Sequence, residues 1–138
     1  MKVFIAGPRA VTELDANVLT ELENIYNSNY KVIVGDADGI DSCVQRYFNN
    51  KDYKNVCVFA SNGKARNNIG VWKIENVAVE DNIRGFKFYA SKDLEMAKQA
   101  DYGFMIWNGK SRGTFSNIIN LISFNKEVKI YYIPTRQF

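Results

Sequence analysis

"IWNGKSRGT", residues 106–114, joins an apolar run (Gly103 to Trp107) to a helix-like run (Phe115 to Phe124). An apolar strand, a glycine turn and a helix in that order form one β-turn-α unit. The same unit recurs along the chain. "KVFIAG" stops at Gly7-Pro8, as a buried strand does. Thr12, with Asp15 three residues on, then opens a helix carrying Leu14, Val18, Leu22 and Ile25 at steps of four and three. "YKVIVG" is a second strand, and "GIDSCVQRYF" a helix with Ile40, Val44 and Tyr47 on one face. "KNVCVFA" is a third strand. "SKDLEMAKQA" reads as a helix opened by Ser91, with Asp93 placed to cap it. "DYGFMIW" is a fourth strand, Phe115, Ile118, Ile119 and Ile122 form a helical stripe, and "KEVKIYYI" is a fifth strand. Such alternation predicts an α/β fold: a mainly parallel five-stranded sheet with helices on both faces. Residues 61–89 break the rhythm. They are polar and glycine-bearing, with brief alternation near Val77 and Val79, and read as a long loop or lid.

The 138 residues suit one domain, 1–138. A net charge of +3, from 18 Lys and Arg against 15 Asp and Glu, suits a small anionic ligand. With few interleaved aromatic and basic clusters, it argues against nucleic acid. Histidine is absent, which excludes His-based triads and His metal sites and leaves Asp, Glu, Lys, Tyr or Cys for proton transfer. Cys43 and Cys57 lack CxxC spacing and read as buried thiols. No run reaches membrane-span length and no signal peptide is evident, so the expectation is a cytoplasmic protein without a membrane partner.

In parallel sheets of this kind, ligands sit beyond the carboxyl ends of the strands, where strand order reverses. Three glycine-bearing strand ends are therefore expected to converge. In "WNGKSRGT", Gly109-Lys110-Ser111 raises the question of a Walker A loop, but the glycine five positions earlier is replaced by Phe104. What remains is a tight turn below Trp107 in which Gly109 and Gly113 can aim amides at an anion. Lys110, Ser111, Arg112 and Thr114 add charge and hydroxyls, and the next helix adds its dipole. Without a ligand, the same turn serves as a connection with Thr114 as helix cap.

In "GDADGID", Gly35 and Gly39 flank the acids. Asp38 as N-cap with Asp41 at N3 would satisfy helix amides, which leaves Asp36 over. That carboxylate could accept from ribose hydroxyls, hold Mg²⁺ or act as a general base. The reading preferred here puts the acids on the sugar and the basic loop on the phosphate, with no metal required. In "AGPRA", Gly7 and Pro8 present Arg9, either a phosphate clamp or a surface residue. From the long loop, Arg66, Asn67, Asn68 and Trp72 could face a base, or Trp72 could pack the loop itself.

Together these blocks resemble the SLOG superfamily, a Rossmann-like group. It includes cytokinin-activating nucleotide phosphoribohydrolases, lysine-decarboxylase-like proteins and the DNA-processing protein A core. The likeness rests on "FIAGPRA" (4–10), "VIVGDADGIDSCVQRYF" (32–48) and "KDLEMAKQADYGFMIWNGKSRGT" (92–114), and spans nearly the whole chain. The third block is similar to small bacterial and phage members, in which an acid is common at the position of Asn108. The resemblance implies a three-layer Rossmann-like sandwich of strand order 3-2-1-4-5. It also implies that the glycine-threonine loop binds a nucleotide phosphate and the "GDADG" loop lies beside its sugar. The phosphoribohydrolases, and the related nucleoside deoxyribosyltransferases, carry a glutamate closely after glycine-threonine. Phe115, Ser116 and Asn117 stand there in this chain.

Two functions follow as expectations. One is capture of a nucleotide or ADP-ribose-like molecule without turnover. The other is N-glycosidic hydrolysis or transfer on a nucleotide, with an acid of "GDADGID", Asp36 foremost, as general base or nucleophile. Homo-oligomerisation is an expectation by family analogy.

Overall fold

The computed structural model describes residues 1–80 and 82–138. Ten main elements follow one another along it, strands and helices alternating except where β4 follows β3. They are β1 (Lys2–Ala6), α1 (Ala16–Asn27), β2 (Lys31–Val34), α2 (Ile40–Asn50), β3 (Val56–Ser61), β4 (Lys73–Val77), α3 (Phe86–Gln99), β5 (Tyr102–Trp107), α4 (Arg112–Ser123) and β6 (Glu127–Tyr132). The sheet has six strands in the order β4-β3-β2-β1-β5-β6, and every neighbouring pair is parallel. The expected five-strand order is embedded in it; the sixth strand, β4, comes from the segment expected to be a lid.

Strand side chains alternate between two apolar layers because successive residues point to opposite faces. Val3, Ile5, Val34 and Phe104 pack against Val18, Leu22 and Ile25 of α1 and Val44 and Phe48 of α2. Phe4, Ile33, Phe59 and Met105 pack against Met96 and Ala97 of α3 and Ile118 and Leu121 of α4. Burial on both faces explains why the inner strands read as continuous apolar runs. Ile5 lies opposite both Val34 and Phe104, so β1, β2 and β5 end at one rim. β1 is the strand from which the chain first winds outward through β2, β3 and β4, then crosses back to β5.

Several local expectations are corrected. In 61–89, Asn62 closes the segment on itself by donating to the Val79 carbonyl and accepting from the Val79 amide (3.0 and 2.7 Å). Trp72 is core: it is buried and donates Nε1–H to the Tyr53 carbonyl at 2.8 Å, so it offers no stacking face for a base. Position 81 of that segment lies outside the described residues. α3 begins at Phe86 rather than Ser91, with Gly85 (φ +64°) at the N-cap, so Asp93 lies in the helix body and does not cap it.

α1 is capped by Asp15, which accepts from the Asn17 and Val18 amides, and not by Thr12. At α2 the N-cap is Gly39, which displaces Asp38 from that role. Around α4 the apolar residues run nearly all the way round. Ile118 and Leu121 face the sheet, whereas Phe115, Ile119 and Ile122 are exposed, so the expected stripe is rotated. Both cysteines are free and buried. Among the described residues, no helix is long and apolar enough to cross a membrane.

Candidate functional site

The loops after β1, β2 and β5 line one cavity of about 660 Å³, closed on its far side by α3 and the first turns of α4. This is the size range of a small-molecule pocket, and it lies where strand order reverses. Its walls are held by close approaches that only glycine permits. A Cβ on Gly7 would lie 2.6 Å from the Ile40 side chain, and one on Gly39 (φ +81°) would overlap the Arg9 backbone. The Ile40 amide donates to the Pro8 carbonyl, so α2 is locked under the β1 loop while Arg9 lines the cavity.

The acids of "GDADGID" separate into three roles. Asp36 is buried and accepts twice from Arg66: from its amide at 2.8 Å and from Nη2 at 2.7 Å. Burial pushes the Asp36 carboxyl up, but the Arg66 hydrogen bonds and charge outweigh it and hold the pKa below the ordinary value. Asp36 does not line the cavity. It anchors the 62–71 loop, and the expected sugar-binding or general-base role does not fit a carboxylate with both oxygens engaged. Asp38 also lies off the cavity and accepts from Asn67 Nδ2 at 3.0 Å, so Asn67 fastens the loop too. Only Asp41 faces the cavity. It accepts from the Ala37 amide at 3.2 Å, and burial, offset partly by Lys92 and that amide, pushes its pKa up to about 7.

Gly35 makes this placement possible: a Cβ there would lie 2.6 Å from Asp41 Oδ2 and 3.1 Å from Lys92 Nζ. Lys92 is only 4% exposed and pairs with Asp93 at 2.9 Å. The Asp93 carboxyl is raised by burial, against the pull of Lys92. The start of α3 at Phe86 carries this pair to the cavity wall, which a helix starting at Ser91 would not do. Arg66 completes the wall, its guanidinium 4.0 Å from the centre of the Tyr89 ring.

The β5–α4 loop differs from the expected anion nest. Asn108 Oδ1 accepts from the amides of Lys110 and Ser111, both at 2.9 Å, so those two donors are already used. Ser111, and not Thr114, caps α4 by accepting from the Thr114 amide. The Arg112 and Gly113 amides, at the first turn, have no intrahelical acceptor. The loop splits by direction. Lys110, Ser111, Gly113 and Thr114 line the cavity; Trp107, Gly109 and Arg112 line a neighbouring groove of about 500 Å³ with Phe86 and Phe115. Arg112 rests over the Phe86 ring at 5.0 Å.

Asn117, also outside the expected site, stands in the cavity wall as well. Asn117 is 6% exposed, and its Oδ1 is buried without a hydrogen-bond partner. The lining charges are Arg9, Arg66, Lys92 and Lys110 against Asp41 and Asp93, an excess that suits an anion. Among the described residues, no group of three or more His, Cys, Asp or Glu could hold a metal ion. The site therefore offers cations, helix amides and two proton-accepting carboxyls.

No protein-family model matches the chain, and no curated protein matches it. Among solved structures it is similar to DNA processing protein A from Helicobacter pylori, whose structure concerns single-stranded DNA binding. The TM-score is 0.70 at 13% identity, covering 94% of this chain and 64% of that one. The chain thus spans somewhat under two thirds of that neighbour's length. The likeness shows the fold, an α/β Rossmann-like domain with a parallel sheet. It also corrects one expectation: modest charge does not argue against nucleic acid, because a protein of this same fold binds single-stranded DNA.

Proposed function

We propose that the protein is a SLOG-like domain that binds a nucleotide or nucleotide-derived ligand in the cavity above β1, β2 and β5. The observation that carries this reading is the cationic excess in the lining of one cavity, Arg9, Arg66, Lys92 and Lys110 against Asp41 and Asp93, at the switch point of the sheet. A phosphate would lie against the Gly113 amide and Lys110, with Asp41 and Asp93 toward the sugar. Asp36, locked to Arg66, is no longer the best candidate for turnover, so binding without catalysis is the simpler role. Titration calorimetry against nucleoside monophosphates, cyclic nucleotides, NAD and ADP-ribose tests it. A dissociation constant in the micromolar range, weakened at least tenfold in Lys110→Ala, is the expected result; absence of heat across the panel refutes it.

A second reading takes the nucleotide as part of a single strand. It is favoured by the groove beside the cavity, where exposed Phe86 and Phe115 flank Arg112, since aromatic faces with cations hold successive bases. Salt-dependent retention on single-stranded oligonucleotides, lost in Phe115→Ala with Arg112→Ala, would select it over the small-molecule reading.

A further inference from the structure

Asp41 differs from the two acids beside it. Asp36 is matched with Arg66, whose Nη2 lies at 2.7 Å, and Asp93 with Lys92, whose Nζ lies at 2.9 Å. The hydrogen-bond partner of Asp41 is a neutral group, the Ala37 amide at 3.2 Å. Lys92 is close to it: the point where a Cβ on Gly35 would stand is 2.6 Å from Asp41 Oδ2 and 3.1 Å from Lys92 Nζ. The ammonium nevertheless spends its hydrogen bond on Asp93. Asp41 is thus the surplus carboxyl of the cluster. It is only 7% exposed, yet it belongs to the cavity lining together with Lys92 and Asp93.

Opposed influences meet at this carboxyl. Lys92, Arg66, the Ala37 amide and the start of α2, whose first turn holds Asp41, favour the charged form. Burial, Asp93 and Asp36 oppose it. Arg9 and Lys110 reach the same cavity from the loops after β1 and β5. Burial prevails and the carboxyl stands at about 7, so near neutral pH a small push decides whether it carries its charge. An anion entering the cavity pushes in one direction. It repels the carboxylate and competes with it for the same cations, and both effects favour the neutral acid. No direct contact is required, because a unit charge ~10 Å away, in the effective dielectric of a protein site, raises a carboxyl pKa by about one.

We infer that an anion filling this cavity is bound together with a proton, taken up by Asp41, so that acidity sets the affinity. The inference rests on the nucleotide-binding reading above and adds a control to that same site. Linkage makes the coupling reciprocal: the ligand raises proton affinity, and the proton raises ligand affinity by the same factor. Affinity is therefore highest below the free value of about 7, falls as pH rises from there to about 8, and levels off beyond. A rise of about one in the pKa corresponds to about tenfold between the two plateaus.

The test is titration calorimetry on the intact chain from pH 6 to pH 9 with ADP-ribose, NAD and cyclic AMP, whose phosphates keep a fixed charge over that range. Wild type is expected to lose about tenfold in affinity from pH 6 to pH 9. It should also take up about half a proton at about pH 7.5, read from the dependence of the heat on the buffer's ionisation enthalpy. In Asp41→Asn the affinity should change by less than about twofold over the same range, with heat independent of the buffer. If that variant does not fold, Asp41→Ala takes its place, and the wild-type proton count stands without either. A nucleoside monophosphate, which itself ionises at about pH 6, is read through the ratio of wild-type to variant affinity, in which its own ionisation cancels. Flat affinity with buffer-independent heat in wild type, release of a proton, or an uptake that survives in Asp41→Asn overturns the inference and leaves the cavity reading intact. No binding of any of these ligands to wild type overturns both.

Discussion

Asp36→Asn separates an anchor from a catalyst. Each carboxylate oxygen of Asp36 meets a donor, the Arg66 amide on one side and Nη2 on the other. An asparagine must turn its NH₂ toward one of them, setting donor against donor in a site where Asp36 itself is buried. Breaking a fully buried ion pair costs about 3–5 kcal/mol. Arg66 is one third exposed, so its guanidinium regains water and the loss falls to about 2 kcal/mol. With a urea slope near 2 kcal/mol/M for a domain of this size, the midpoint drops by about 1 M. The effect also depends on pH. The folded pKa of Asp36 lies below its unfolded value of 3.8, so the stabilisation is complete above that value and is lost as pH falls through the folded pKa. Urea melts at pH 7 and at a series of pH values below 3.8 should therefore show the full difference between wild type and variant at pH 7 and a difference that shrinks as pH falls below 3.8. Amide exchange at Arg66 should quicken in the variant at pH 7. A midpoint unchanged at pH 7, within about 0.3 M, together with normal Arg66 exchange, refutes the anchoring argument.

Asp41 behaves with the opposite sign. Its folded pKa of about 7 exceeds the unfolded value of 3.8, so its favourable contribution is present below pH 4 and is lost as pH rises through 7. Asp41→Asn should remove that slope and gain on wild type by on the order of 2–4 kcal/mol between pH 4 and pH 8; parallel stability curves across that range would contradict the assignment. Gly35→Ala drives a methyl against Asp41 Oδ2 and Lys92 Nζ, and should destabilise by about 1–3 kcal/mol and weaken nucleotide binding together, read by urea melts and calorimetry. Normal stability with normal binding would show that the wall yields. Trp72→Phe loses the bond to the Tyr53 carbonyl and some packing, and should cost about 1–2 kcal/mol with ligand affinity unchanged. A selective loss of affinity instead would return Trp72 to the binding face.

The fold was legible because its inner strands are buried on both faces and its helices follow glycine turns. Where an element departs from that regime, the reading failed for physical reasons. β4 is an edge strand with Lys73, Glu75 and Asn76 among its five residues, so it lacks the apolar run that marks β1, β2, β3 and β5. The first turn of α3, "FKFYA", has no polar cap; Gly85 supplies the left-handed turn, which leaves no side-chain signal. At α4 an apolar residue falls on almost every face, so periodicity could not choose which side meets the sheet.

The missing turn of α3 has consequences beyond a helix boundary. Shifting its start from Ser91 to Phe86 moves Lys92 and Asp93 from a solvated end into the helix body, where one face must pack on β3 and β1. A lysine there is tolerated only beside carboxylates, and Asp93 and Asp41 supply them. The glycine turns could be picked out along the chain because they break local pattern, whereas the chemistry between them depends on which helix residues point inward. Asn117 shows the same limit: in sequence it is one more polar residue in an apolar helix. Only packing reveals that its carbonyl is buried and unpartnered. The half of the cavity wall built by the loops is thus legible in the chain, and the half built by helices is a property of α3 and α4 in their packed register.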